Sequence, residues 1–403
     1  MIEIKELTIE SRGRRARLCA NVVLDGEKRP LWVEVDKRYE EYLQKDRCDA
    51  FVAGLMFCAI KQRHDIRFDV PITDELKDGI EHDFLDVLCQ HQPRLYRPKL
   101  IGETIPCLPK SKVVLGAGIS CGVDSLFTFK RRIEQSKSEK YLVIANQHGH
   151  VLNDSNEKRR FRFEYLKNKA ESFSKDVQLP LIVCDTNYNS SGISGLAFEG
   201  CTTYGNLFVV MALGKLFTHY YIASGGPVVD FKKYLAAGIY GTDCSNYDLL
   251  TCQAFSTRTL RFIVDGLEDR TQKLMVLSDY PLAWKHLDVC HVHPLGTTRN
   301  CTNGCPKCMY TILGIWAHGW ATLEKFSRVF DLEYVKNHKH EYLAELMRKR
   351  LIRAETAMET WPYRKNMGFE IGDYRKACWI VFKKIIKKVL RGGSTASEFK
   401  IGG

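Results

Sequence analysis

A chain of 403 residues exceeds a usual single domain and implies two or three units built on sizeable cores. With 45% apolar and 27% charged residues it has the composition of a folded globular protein, which excludes a disordered or fibrous chain. The net charge of +12 is local: residues 374–391, Y-R-K-A-C-W-I-V-F-K-K-I-I-K-K-V-L-R, hold seven basic and no acidic side chains, and the +5 left for the rest excludes a generic nucleic-acid-binding body.

The charged start, M-I-E-I-K-E-L, does not read as a secretory signal, and no run approaches the roughly 18 apolar residues of a membrane span. The expected location is the cytoplasm, with no transmembrane segment. Fifteen cysteines, an odd count with most standing singly in apolar runs such as F-C-A-I and V-L-C-Q, read as free, buried or metal-bound thiols rather than disulfides.

Residues 14–36 alternate in strand fashion around Asp25-Gly26, a hairpin signal, and W-V-E-V completes the second arm. Helical periodicity follows over about 47–62 and 73–91. Residues 1–108 are therefore expected to form a small α+β domain, with Pro106 and Pro109 in the link onward. From Lys112 the pattern becomes apolar strands spaced by helices: K-V-V-L-G-A-G, Y-L-V-I-A-N-Q-H-G, L-P-L-I-V-C-D-T-N, H-Y-Y-I-A-S-G-G and, after a looser stretch, T-L-R-F-I-V-D-G. Helices are expected between them near 124–135, 156–174 and 204–217, and another near 271–278. Strand and helix in series predict an α/β domain over 109–315 with a doubly wound parallel sheet. Residues 316–403 read as helices with a basic end.

The first of these strands runs into a turn, V-V-L-G-A-G-I-S-C-G-V-D-S over Val113–Ser125. A glycine-rich turn between a parallel strand and a helix is an anion site, because backbone N–H groups and the helix dipole favour negative charge. The turn lacks the lysine and spacing of a Walker A loop and the third glycine of the dinucleotide fingerprint. What remains is S-x-G-x-D-S: Ser120, Gly122, Asp124 and Ser125, preceded by Gly118. Cys121 stands among them, and a positive φ there would cost on the order of 1 kcal/mol. The bland alternative is a plain strand-turn-helix in which Asp124 caps the helix.

Cys290, Cys301, Cys305 and Cys308 form C-x10-C-x3-C-x2-C, with Gly304 and Pro306 bending the tight end. Four thiolates at such spacing suit a closed tetrahedral, structural Zn²⁺ site. An iron-sulfur cluster is less favoured, since neither ferredoxin spacing is present. Unliganded buried cysteines are the remaining alternative.

The loop resembles the pyrophosphate loop S-G-G-x-D-S of the ATP pyrophosphatases, with Cys121 in place of the first glycine. Together with the four cysteines, it resembles the 7-cyano-7-deazaguanine synthase family over residues 111–315. That resemblance implies a sheet of the adenine nucleotide alpha-hydrolase type, Mg²⁺-ATP as the nucleotide and Zn²⁺ on the four cysteines. It implies nucleotide contacts from Gly118, Ser120, Cys121, Gly122, Asp124, Ser125, Gln147, His148 and Asn206, and catalytic roles for Lys273, Asp243 and Ser125. The reaction it implies is adenylation of 7-carboxy-7-deazaguanine with release of pyrophosphate, and then displacement of AMP by an amine to give the amide or nitrile.

Departures from the family pattern set this chain apart. Gly205-Asn206 stands where the family has Arg-Asn, Tyr240-Gly241-Thr242-Asp243-Cys244 carries one residue more than Y-P-D-C, and N- and C-terminal regions are added. These features resemble the enlarged relatives from bacterial antiviral operons, in which the activated deazaguanine is joined to an amine of a partner protein. A homodimer is allowed. Two other readings stay open: a degenerate nucleotide- or nucleobase-binding subunit without turnover, and a tRNA-modifying pyrophosphatase, for which the only RNA surface would be the basic C-terminal end.

In that end, lysine pairs recur every four residues opposite Phe382, Ile385, Ile386 and Val389, the pattern of an amphipathic helix. Such a helix suits an anionic membrane surface or an acidic partner. It also suits simple packing of the apolar stripe on the protein body.

Overall fold

The computed structural model describes residues 1–146, 156–189, 198–226, 228, 248–290, 300–302, 305–351 and 355–390. Its compact units are Met1–Ser120 with Thr128–Leu267, and Cys121–Phe127 with Glu268–Gly403.

The first unit is built on a sheet in which ten strands are described. Strands β1 (Ile2–Arg12), β2 (Arg15–Leu24) and β3 (Glu27–Asp36) form antiparallel hairpins. Asp25 and Gly26 have φ of 52° and 83°, the pair of left-handed residues that a tight hairpin turn matching strand twist requires. Alternation in β2 points Ala16, Leu18, Ala20 and Val22 into the core, as period-two patterning demands. Beyond these lie β4 (Ile66–Phe68) and β6 (Leu100–Ile101), each parallel to its neighbour, while β5 (Ile72–Thr73) and β7 (Thr104–Ile105) pair separately.

The remaining strands are β8 (Val114–Gly118), β9 (Glu139–Asn146), β10 (Leu181–Thr186), β11 (His219–Ala223) and β12 (Arg261–Asp265). They lie in the order β12-β11-β8-β9-β10, all parallel. The first of the five in sequence, β8, thus lies between the second and the fourth. This is a reversal of winding, and in open α/β sheets ligands gather beyond the carboxyl ends of the strands at such a point.

The first 108 residues, expected as a domain apart, continue this sheet. β3 pairs antiparallel with β10 through Asp185 with Glu34 and Thr186 with Val33. The Thr186 hydroxyl donates to the Trp32 carbonyl at 2.6 Å, and the Trp32 N–H donates to Asn187 Oδ1 at 2.9 Å. Local patterning shows that a strand has a partner-ready edge, but not which distant strand takes it.

The core of this unit joins both regions as well. Helix Asp49–Gln62 is buried from Asp49 to Ile60, so it is an internal helix rather than a surface one. It meets helix Phe198–Ala212 at Phe51 and Phe208, whose rings lie edge to face at 5.1 Å. Gly54 lets the two helices approach, since a Cβ there would stand 3.0 Å from Phe208 Cβ, and its carbonyl accepts the buried Tyr188 hydroxyl at 2.6 Å.

The second unit is helical: Arg270–Ser278, Pro281–His286, Pro306–His318, Leu323–Val329, Leu332–Asn337, Lys339–Leu351, Glu355–Thr360 and Ile371–Leu390. Trp316 and Tyr342 pack edge to face between two of these helices, and Leu343, Ala344, Ala377 and Val381 form a small apolar cluster. No described helix is long and apolar enough to cross a membrane.

Candidate functional site

β8 ends at Gly118, and the Ile119 N–H makes one more bond, to the Val143 carbonyl at 2.9 Å, before the chain turns. Cys121 takes φ of +58° and is fully buried. This position therefore calls for the left-handed conformation that glycine adopts without cost, and a cysteine occupies it at a cost of about 1 kcal/mol. The Cys121 carbonyl accepts the Asp288 N–H at 2.8 Å. Helix Val123–Thr128 then begins, with the Gly122 carbonyl accepting both the Leu126 N–H at 3.0 Å and the Ser125 hydroxyl at 3.2 Å.

Asp124 stands in the first turn of that helix and faces two cations. Lys273 Nζ lies 2.6 Å from Asp124 Oδ1, and the Arg270 guanidinium 3.5 Å from Oδ2. Arg270 and Lys273 are three residues apart on helix Arg270–Ser278, so they share one face. The helix start is held by a capping box in which Asp269 accepts the Gln272 N–H at 2.9 Å and the Gln272 side chain accepts the Asp269 N–H at 3.3 Å.

Lys273 is 1% exposed, and a charge so placed is tolerable only with a partner. Burial pushes the Asp124 carboxyl up, but Arg270, Lys273 and then Lys307 outweigh it and hold the group below the usual carboxylate range. Asp124 does more here than end a helix. It fixes two cations beside the loop.

The four cysteines converge. Their sulfurs all lie within 4.8 Å of one another, with Cys301 and Cys308 at 3.6 Å. A tetrahedral ion with Zn–S bonds of about 2.3 Å sets its ligands about 3.8 Å apart, so these side chains fit one Zn²⁺ with small adjustments. All four are free thiols. Cys305, Cys308 and Cys290 are buried, and hydrogen bonding among the sulfurs, first with Cys290, pushes the Cys301 and Cys308 thiols up. Four thiolates this close repel one another, and a dication would remove that repulsion.

The frame around the cluster is specific. Cys305 precedes Pro306 at the start of helix Pro306–His318, and Cys308 follows in its first turn, so proline's fixed φ sets their relative positions. Asn300, buried, accepts the N–H groups of Val289 at 2.8 Å and Cys290 at 2.9 Å and donates to the Leu287 and Val329 carbonyls. Thr302 takes φ of +58°; its carbonyl accepts the Tyr342 hydroxyl at 2.9 Å, and its hydroxyl accepts the Asp331 N–H at 3.0 Å. The Asp288 carboxylate accepts the Cys290 N–H at 3.3 Å.

Of the expected site residues, the second unit thus holds Cys121, Gly122, Asp124, Ser125, Lys273 and the four cysteines, and it brings Asp124 and Lys273 into contact. Gly118, Ser120 and Asn206 belong to the first unit, Asn206 half-buried in helix Phe198–Ala212. Gln147, His148 and Asp243 lie outside the described residues. Sequence reading missed Arg270, although its spacing from Lys273 marks it. It also missed Asn300 and Asp288, whose roles are to hold backbone and leave no residue-type signature. No protein-family model, curated protein or solved structure matches the chain.

Proposed function

We propose that this chain uses ATP to adenylate a deazaguanine carboxylate and passes the acyl group to an amine. The observation that carries the reading is the S-x-G-x-D-S loop at the end of the first parallel strand, whose Asp124 is joined to Lys273 and Arg270. A strand-to-helix loop with two fixed cations nearby suits a polyphosphate. In the proposed step a carboxylate oxygen of 7-carboxy-7-deazaguanine attacks the α-phosphorus of Mg²⁺-ATP. The acyl-phosphate bond forms as the α–β bridging bond breaks, and pyrophosphate leaves. An amine then attacks the acyl carbon, AMP departs, and the amine loses its proton to give an amide.

In this scheme Gly122, Ser125 and the N–H groups around Cys121 hold the pyrophosphate, and Arg270 and Lys273 offset its charge. Catalysis is mainly positioning and charge stabilisation. Cys290, Cys301, Cys305 and Cys308 hold Zn²⁺, which, closed in by four sulfurs, stabilises structure. The enlarged chain favours a partner-protein amine over ammonia as the acceptor.

The test is to supply ATP, Mg²⁺ and 7-carboxy-7-deazaguanine with either ammonia or the products of neighbouring genes. AMP release and mass added to a protein are expected, and absence of AMP under every condition would sink the enzyme reading. A second reading has its own support, because Lys273 is held by Asp124 and the Ser125 hydroxyl by the Gly122 carbonyl. In it the chain binds nucleotide without turnover, and calorimetric ATP binding with no pyrophosphate release selects it.

A further inference from the structure

Helix Ile371–Leu390 is packed on one side only. Ala377 and Val381 are buried in the cluster they form with Leu343 and Ala344 of helix Lys339–Leu351. A second apolar set stays in solvent: Ile371 at 74% exposure, Trp379 at 56%, Phe382 at 52% and Leu390 at 80%, with Ile385 and Ile386 beside them. Single exposed apolar residues are ordinary, but a contiguous group of this size is not.

At about 100° per residue these side chains fall within an arc of about 140°. Lys376, Lys383 and Lys387 form the next row along its edge. Trp379 and Phe382 lie nearly parallel with ring centres 6.0 Å apart, and Lys383 Nζ stands 4.9 Å over the Trp379 ring. Ile371, Tyr374, Arg375, Cys378, Trp379 and Phe382 line a shallow groove along this face. Over the whole helix Asp373 is the sole acid against six basic side chains.

We propose that this face docks on an anionic lipid surface, the stripe entering the headgroup boundary while the lysines reach phosphates. The charge balance and the chemistry of the exposed residues argue for it. Tryptophan is the side chain that favours the membrane-water boundary, and lysines flanking an apolar stripe can keep their ammonium groups at headgroup level. The stripe is distinct from the surface that joins the helix to the second unit, so docking need not unpack Ala377 and Val381.

The test uses the full chain and vesicles of phosphatidylcholine, pure or with roughly one phosphatidylserine in three, sedimented at low and physiological salt. Binding to the mixed vesicles is expected to exceed binding to pure phosphatidylcholine by about tenfold or more and to weaken with salt. Trp379→Ser with Phe382→Ser, and separately Lys383→Glu with Lys387→Glu, are expected to lower it by about tenfold or more with unchanged circular dichroism. Absence of binding to the mixed vesicles, or equal binding by these variants, would overturn the proposal. So would tighter binding to poly-glutamate than to vesicles, which identifies an acidic polypeptide as the occupant. A dimer lost in Trp379→Ser with Phe382→Ser identifies a second copy instead, and vesicle binding that appears only after removal of residues 391–403 identifies the chain's own tail.

Discussion

Cys121 and Asp288 are joined backbone to backbone: the Cys121 carbonyl accepts the Asp288 N–H at 2.8 Å, and the Asp288 carboxylate accepts the Cys290 N–H at 3.3 Å. The turn after the first parallel strand is therefore tied, two hydrogen bonds away, to the first residue of the cysteine cluster. Whatever fixes the cluster also fixes the shape of the turn.

Metal content follows directly. The purified chain should carry about one zinc ion, and Cys305→Ser or Cys308→Ser should abolish it and lower the melting temperature by about 5 °C or more. Elemental analysis and a thermal melt check both. Full thermal stability with no metal would dismiss the site.

Backbone strain at Cys121 predicts an unusual order of stabilities. At φ of +58° a glycine is relaxed and an alanine is not. Cys121→Gly should equal or exceed Cys121→Ala in stability, by up to about 1 kcal/mol, although it removes more buried surface. Urea unfolding of the two variants decides the order.

The Asp124–Lys273 pair should show itself in both stability and pH dependence. Lys273→Met leaves Asp124 with Arg270 and Lys307 but without its closest cation, and should cost about 2–4 kcal/mol in urea unfolding. Because the folded carboxyl lies below its ordinary value, its contribution is fully present above pH ~3.9 and is lost as pH falls through the lower folded value. Asp124→Asn should flatten that acid limb relative to the parent protein.

Lys110 sets a second window with the opposite sense. Burial pulls its pKa down to about 8, while its ammonium donates to the Gly214 carbonyl at 2.6 Å and to the Phe217 carbonyl. Between pH ~8 and the unfolded lysine value near 10.4, the unfolded chain binds more protons, so stability from this group rises with pH. The parent protein should gain on Lys110→Met across that interval, as thermal melts at stepped pH would show.

Legibility in the sequence followed how local each device is. Asp25-Gly26 announced its hairpin because two adjacent residues suffice to make that turn. The cysteines announced a cluster because four thiols, three of them within eight residues, make a pattern that residue type and spacing alone display. The five parallel strands were readable as apolar runs, with Leu181–Thr186 and His219–Ala223 close to their expected places. The pairing of Val33 and Glu34 with Thr186 and Asp185 was not, since the contact spans some 150 residues and either strand would look the same with another partner. Asn300 was equally silent: a buried amide that gathers four backbone groups differs in no sequence feature from one in an exposed turn.

That same pairing of β3 with β10 bears on how the chain can be cut. A strand at the border of a sheet offers a row of unsatisfied backbone donors and acceptors, a template on which other chains polymerise. The N-terminal hairpins cover the end of that row on β10, at Asp185 and Thr186. A fragment starting near residue 109 would carry the loop and the cysteines yet leave β10 bare. It should precipitate rather than fold as a smaller working protein.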